Sequence, residues 1–352
     1  MRASHGEVKL TKRYFDSFNA FEEVSILLVN YNQAEMVNSC VRALEDTFRS
    51  DKHRVLIIDN ASVDVDRLPQ GNFITVIKSE ANLGYAGGFN FGLKSVNTKY
   101  CIILTPDVIV LPHCLGRLLS TIRKNPNAAI VGGMLLKSET ESIDSAGGIL
   151  TYPFGVPYGI KADEPRDSVS SWSPFETAFV GGALMAVDRE KIMEIGGFDS
   201  DFFAYNEEVD LAWRARLAGY SIICVPSAMA RHFSKSTWRK KLWARAFLIE
   251  RNRIMTCVKN LSKMKLVVAL MAEIVYATLI ICGCLVYKEI EYLKSYLGAL
   301  AWNFSNIRLL LMKRSLVQSR RKVPDSFVLT LHQHISLLGL LRMLLTIYRR
   351  LN

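Results

Sequence analysis

Apolar residues run almost unbroken through VSILLVN and stop at Tyr31 and Asn32, the pattern of a strand buried on both faces over 24–32. MVNSCVRALEDTF then follows with helical spacing. A second run, HRVLIIDNAS (53–62), ends in Asp59, Asn60 and Ser62, and FITVIKS (73–79) predicts a third strand. NLGYAGGFNFGL (82–93) reads as a Gly-rich turn leading into another helix, and KYCIILTPDVIV (99–110) as a fourth strand carrying Asp107. Strands alternating with helices imply a parallel, doubly wound sheet. Ligands of such sheets sit at the carboxyl ends of the strands. Here those ends are Asn30–Asn32, Asp59–Ser62 and Thr105–Asp107, all polar and small, as a nucleotide pocket requires. The Gly-rich stretch is not GxGxxG and lacks a P-loop lysine, so neither dinucleotide nor P-loop chemistry follows. The chain also lacks the N-terminal Gly-rich loop with a following basic residue that would favour a nucleotidyltransferase.

The pattern changes beyond residue 150. TYPFGVPYGIKADEPRDSVSSWSP (151–174) is rich in Pro, Gly and Ser and reads as a mobile loop. FVGGALMAVDRE (179–190) predicts a strand followed by a turn. Around YNEEVDL (205–211), Asp201, Glu207, Glu208 and Asp210 crowd into ten residues beside three aromatics. Acids there suit the first turn of a helix, where they complement its dipole. A carboxylate against an apolar wall also suits a general base. Both readings stand on these residues alone.

Further on, STWRKKLWARAFLIERNRIMTCVKN (236–260) is basic and periodic, and its apolar positions Trp238, Leu242 and Ile249 fit an interfacial helix. LVVALMAEIVYATLIICGCLVY (266–287) is long enough to cross a bilayer, with Glu273 its only charge. That charge costs a few kcal/mol inside lipid, so a hairpin lying in the membrane plane competes with a span. Lysines on both sides leave the orientation open. KRSLVQSRRK (313–322) is a basic cluster, and 326–350 a second apolar, helical stretch.

Charge sharpens this division. From Phe233 onward there are 21 Lys and Arg against 5 Asp and Glu, a balance of +16, while residues 1–232 carry −5. A basic, apolar tail on an acidic body fits an anionic membrane face rather than nucleic acid, whose binders interleave bases with stacking aromatics. The seven cysteines are scattered without a CxxC pair, which points away from zinc and disulfides and toward a reducing compartment. The polar N-terminus has no apolar segment of signal-peptide type, so no export is expected.

Taken in order, VSILLVNYN, IIDNASVD, NLGYAGGFNFG, LTPDV, GGFDSDFFAYNEEVDLAWRARLAGY and RHFSKST resemble family 2 glycosyltransferases of the GT-A fold, most closely the rhamnosyltransferase-like branch. The resemblance covers about residues 22–262. It implies an α/β doubly wound mixed sheet, with 1–21 as an extension and 263–352 as a helical, membrane-associating tail. It also implies an inverting transferase that takes a sugar from a nucleotide-diphosphate donor. On that basis Asn30 and Asn32 line the nucleoside pocket, Asp59 and Asn60 lie near the base, and Asn82 with Gly84, Gly87 and Gly88 borders the ribose and diphosphate. Asp107 matches the last carboxylate of the family's D-x-D, and His232 a histidine that completes the shell of a divalent Mg2+ or Mn2+. Glu208 falls at the catalytic base, with Glu207 and Asp210 beside it in catalytic or orienting roles. The resemblance further implies that Ser234, Lys235 and Ser236 could reach phosphate, that 179–190 and Trp172 wall the sugar and acceptor side, and that the 151–174 loop lies near the acceptor.

Two positions depart from the family pattern. Thr105 stands at the first D-x-D position, which predicts weaker metal binding or binding mainly through the substrate's phosphates. Glu208 replaces the commoner Asp, one methylene longer. The expected protein is therefore a transferase at the cytoplasmic face of the cell membrane, building a surface polysaccharide on a lipid-linked glycan acceptor, with L-rhamnose as the first candidate donor sugar. A catalytically silent sugar-nucleotide-binding scaffold subunit is the alternative.

Overall fold

The computed structural model describes residues 24–48, 53–233 and 242–334. The N-terminal extension 1–21, Ser234 to Ser236, Trp238 and the apolar run beyond residue 334 lie outside the described residues.

The alternating pattern builds the expected first half. Strand β1 (Val24–Asn30), helix α1 (Ala34–Thr47), β2 (His53–Asp59), β3 (Ile74–Lys78), α2 (Gly84–Lys94) and β4 (Tyr100–Leu104) follow one another. β1 pairs in parallel with both β2 and β4, and β2 with β3. α1 buries Ala34, Val37, Cys40, Val41 and Leu44, a stripe at the helical period. Each such side chain contributes about 1.5–3 kcal/mol when fully buried if large.

Two local expectations change. The fourth apolar run is not one strand: it breaks at Thr105, Pro106 and Asp107 into β4 and a separate β5 (Val108–Val110). Proline ends the ladder by removing a donor, and the break leaves Asp107 in a turn. The Gly-rich stretch is not a turn before a helix but the helix α2 itself. Its glycines serve close approach, because a Cβ on Gly88 would come 2.9 Å from Val29 of β1.

After α3 (Cys114–Lys124) the sheet becomes mixed, through β6 (Ala128–Lys137), β7 (Ile143–Ser145), β8 (Gly148–Tyr152), β9 (Pro157–Gly159), β10 (Phe175–Glu176) and β11 (Leu184–Asp188). Helices α4 (Arg189–Glu194) and α5 (Glu207–Leu217) lead to β12 (Ser221–His232). The main path runs β10-β12-β6-β11-β4-β1-β2-β3, with β5 on β12 and β7 on β6. β11 lies antiparallel between β4 and β6. One face of the sheet packs on α1 and α3, the other on α2 and α5.

The 151–174 stretch, expected as a long loop, is in part strand: its first two residues finish β8 and Pro157–Gly159 forms β9 of a small second sheet, while 160–174 runs without a strand. Trp172 packs edge-on against Phe175 rather than lining a cleft. The tail forms α6 (Leu242–Asn260), α7 (Lys263–Tyr287), α8 (Ile290–Ser305), α9 (Ile307–Ser319), α10 (Asp325–Leu329) and β13 (His332–His334). β13 pairs in parallel with β8, so the tail closes back on the body.

Candidate active site

The carboxyl ends of β1, β2 and β4 open into a cleft of about 750 Å³, the size of a pocket for a nucleotide-like ligand. Its lining includes Asn60, Asn82, Gly84, Thr105, Asp107, Glu207 and His232. Residues more than a hundred positions apart thus share one opening.

The nucleoside side is tied by side-chain hydrogen bonds. Asn30 is fully buried and donates to Asp59 at 2.9 Å and to Ser62 at 3.0 Å. Asp59 in turn accepts from the backbone of Ser62 at 3.2 Å. Both therefore brace the wall from behind rather than line it. Asn60 faces the cleft: it donates to the Gly84 carbonyl at 3.0 Å, while its own carbonyl oxygen is buried with no partner. Asn82 caps the Gly84 amide at 2.9 Å. Gly84 has φ +69°, and a Cβ there would meet the Phe203 carbonyl at 2.4 Å, so only glycine suits the position. Gly87 and Gly88 lie one layer back, against Leu83 and Val29. Asn32 corrects the expectation: it is exposed at φ 56° and ties the loop by accepting from Val63 at 2.9 Å, while Tyr31 and Gln33 line the cleft.

At the floor, β5 pairs with the end of β12 and brings Asp107 to His232, Oδ2 to Nε2, at 3.4 Å. His232 Nδ1 meets Asp144 of β7 at 2.7 Å. Burial disfavours the imidazolium, but hydrogen bonds to Asp107 and Asp144 outweigh it and push His232 up to about 9. Burial likewise works to raise Asp107, and the His232 contact holds it below the usual carboxylate range. Asp144 carries no motif signal. Only pairing of β6 with β7 and β12 brings it here.

Glu207 and Glu208 occupy the first turn of α5, where acids complement its dipole. Glu207 lines the cleft at 5% exposure, and Glu208 sits beside Gly182. One carboxylate oxygen of each is buried without a partner. Burial, with the neighbouring Glu208 charge, raises Glu207 well above the ordinary range; burial raises Glu208. Each is therefore held toward its protonated form and, once ionised, is a stronger base than an exposed carboxylate.

Asp210 does not belong with them. It is fully buried away from the cleft, held by Arg214 at 2.7 Å, Lys259 at 2.9 Å and Asn260 at 3.0 Å. Its role is to fasten α5 to α6, and the expectation of a catalytic part is withdrawn. The structure adds lining residues that the motifs did not mark: Lys137, Glu139, Tyr205 and Arg245, whose guanidinium lies 5.5 Å from the Tyr205 ring centroid.

A mixed sheet with an acidic, histidine-bearing cleft at the ends of its parallel strands has the architecture of GT-A-type transferases. Residues 25–191 match the family described as Glycosyl transferase family 2, and the chain carries a domain of that family. An N-acetylglucosaminyl-diphospho-decaprenol L-rhamnosyltransferase of Mycobacterium tuberculosis (strain ATCC 25618 / H37Rv) is 26% identical over 219 residues, covering 53% of this chain and 68% of the relative. The low-salt glycan biosynthesis hexosyltransferase Agl10 of Haloferax volcanii is 25% identical over 209 residues, covering 57% and 64%. Among solved structures, GalNAc-T7 with UDP, GalNAc and Mn2+ superposes with a TM-score of 0.51 at 14% identity. That match covers 68% of this chain but only 48% of the solved one, and it speaks to the fold alone.

Proposed function

We propose that the protein transfers a sugar, L-rhamnose as first candidate, from a nucleotide-diphosphate donor to a hydroxyl of a lipid-linked glycan at the cytoplasmic face of the membrane, with inversion. The observation that carries this reading is one cleft whose lining includes Asp107, His232 and Glu207 together. A buried carboxylate of the α5 turn accepts the acceptor's proton. The freed oxygen attacks the anomeric carbon from the face opposite the leaving group. The bond from that carbon to the diphosphate oxygen breaks, and the nucleoside diphosphate departs with its electron pair. Glu208 sits at the position the family string assigns to the base, and Glu207 is the carboxylate that faces the opening.

Among the described residues no group of three His, Cys, Asp or Glu gathers to hold a metal ion. Asp107 and His232 offer two adjacent donors, and Asp144 fixes the ring through its other nitrogen, as partners of metal-bound histidines do. Two protein donors fit Mg2+ or Mn2+ whose remaining positions are filled by phosphate oxygens. When bound, such an ion supplies positive charge against the departing diphosphate. The mycobacterial relative's name, with its diphospho-decaprenol carrier, supports a lipid-linked acceptor and L-rhamnose.

Donor turnover and donor affinity, measured in parallel on Glu207→Gln and Glu208→Gln, test the proposal. Loss of turnover by at least about 100-fold in one of them, with donor affinity kept, is expected for the removal of a general base. Tight donor binding by the wild type without any turnover would instead leave a sugar-nucleotide-binding scaffold.

A further inference from the structure

Helix α7 is apolar on nearly every side, and the single charge within 266–287, Glu273, is turned inward. Its outward stripe, through Met264, Val267, Met271, Ile274, Thr278 and Leu285, repeats every three to seven residues and carries no charge. Met264, Met271 and Ile274 are 75%, 64% and 63% exposed. Its acid Glu273 points inward. Glu273 receives both guanidinium nitrogens of Arg253 on α6, at 2.7 and 2.8 Å, and the Tyr296 hydroxyl of α8 at 2.8 Å. Arg253 also bonds Glu250 at 2.8 Å and the Phe154 carbonyl at 2.7 Å. An ordinary surface helix would show the reverse arrangement.

The same network fixes how the helix can meet lipid. Glu273 lies near the middle of α7, so a helix crossing a bilayer would bring it close to the midplane. Its partner helix α6 is tied in turn to the cleft wall: Arg251 and Asn252 donate to the carbonyls of Phe202, Ala204 and Tyr205. A spanning α7 would therefore drag α6 and that irregular loop into hydrocarbon, where exposed backbone is not tolerated. Lying flat removes the conflict. The apolar stripe then enters the interface while Glu273 and Arg253 stay inside the protein. Exposed Lys263, Lys288 and Arg308 flank the helices and match an anionic head-group layer. α8 contributes exposed Leu297 and Phe304.

We propose that the outer face of α7 docks in plane into one leaflet of an anionic bilayer, as a monotopic anchor that does not cross it. This rests on the membrane reading given above and adds the geometry of attachment. It places the acceptor's lipid carrier and the enzyme in the same leaflet.

Cys282 supplies a probe, since it is exposed on α7 and the other six cysteines are buried. The full chain would be labelled there, and at Val268→Cys or Val275→Cys in a Cys282→Ser background. Depth would be read by shallow and deep lipid quenchers in phosphatidylcholine vesicles with and without phosphatidylglycerol. We expect one shallow depth at all three positions, and binding that needs phosphatidylglycerol and weakens with salt. Ile274→Glu should lower vesicle partitioning by at least about tenfold, with an unchanged thermal unfolding profile. A deep reading at 275 flanked by shallower ends would mean a span and overturn the proposal. So would absence of vesicle binding, or a Cys282 thiol unreactive before vesicles are added, which would mean another segment or a second copy covers the face. Nucleotide-sugar binding by the same preparations reports on the transferase reading separately: vesicle binding without donor binding would sink that reading and leave this one.

Discussion

His232 is held at both ring nitrogens by carboxylates, and the two contacts have different consequences. Asp107 shares the cleft floor with it and accepts from Nε2, while Asp144, accepting from Nδ1, sets the ring's orientation so that Nε2 faces Asp107. Replacing Asp144 by Asn removes the charge but keeps the shape. The expected outcome is a loss of about 10- to 100-fold in Mn2+ affinity in the presence of donor nucleotide, with little change in unfolding temperature; titration calorimetry checks the first and thermal unfolding the second. Glu207 poses the opposite problem, since its environment disfavours the ionised form. A carboxyl raised in the folded state costs no stability below its unfolded value, and its penalty grows as pH climbs from there through the folded value. Glu207→Gln should therefore raise the unfolding temperature at pH 7 and above and leave it unchanged near pH 4. If Glu207 or Glu208 is the base, kcat/KM of the wild type should rise with pH along a limb lying above the ordinary carboxylate range. Thermal unfolding and a pH–rate profile on the same samples test both statements. A stability gain paired with lost turnover is what a strained catalytic group gives.

Elements explain why some of this was legible in the sequence and some was not. The parallel strands β1, β2 and β4 are buried on both faces, so each reads as an unbroken apolar run, and their polar ends mark the cleft. The break at Thr105–Asp107 sits inside a similar run and shows only as one proline. α2 escapes a periodicity reading because its packing depends on missing side chains at Gly88 and Gly92, which approach Val29 and Ile58. Asp144 and Arg245 reach the site through long-range pairing and packing that no local pattern encodes. Asp210 misleads for a related reason: its helix is buried nearly all round, so no polar face separates acids that meet substrate from acids that meet Lys259. That lysine is 2% exposed and bridges Asp210 at 2.9 Å to Asp199 at 2.6 Å. Lys259→Met leaves buried carboxylates short of a cation, a change that costs about 3–5 kcal/mol when a buried pair is broken. Denaturant unfolding at pH 7 should show that loss. The gap should narrow on acidification. Burial opposes ionisation of Asp199, but Lys259 and Lys313 outweigh it and hold its pKa below the unfolded value, so its contribution is present above that value and fades as pH falls toward the folded one.

At the scale of the whole molecule, the question is whether the basic tail is an appendage or part of the fold. Charge shifts from acidic to basic at about residue 233 and the family resemblance ends near residue 262, so the sequence reads as a body followed by a membrane-associating tail. Packing crosses this boundary in several places. Val328 and Leu329 join the main core cluster together with Cys257, Leu261 and Ala269. Arg216 of α5 lies with its guanidinium 5.2 Å from the Phe327 ring centroid. Asp325 accepts the Ser262 amide at 2.9 Å, and β13 adds an edge to β8. A chain ending at residue 262 would also strip Glu273 from Arg253, leaving a buried guanidinium with Glu250 as its one carboxylate among the described residues. Exposed core, a lost strand and a half-paired buried charge all act in one direction. Residues 1–262 alone should therefore be insoluble or should unfold without a cooperative transition, even in detergent that covers the apolar surface left bare by loss of the tail. Detergent supplies a partner for an apolar surface but not for Arg253 or for the edge of β8. A soluble, cooperatively unfolding 1–262 fragment that binds nucleotide sugar as well as the full chain does would show that the tail serves attachment only, and that contacts across the boundary contribute little to the fold.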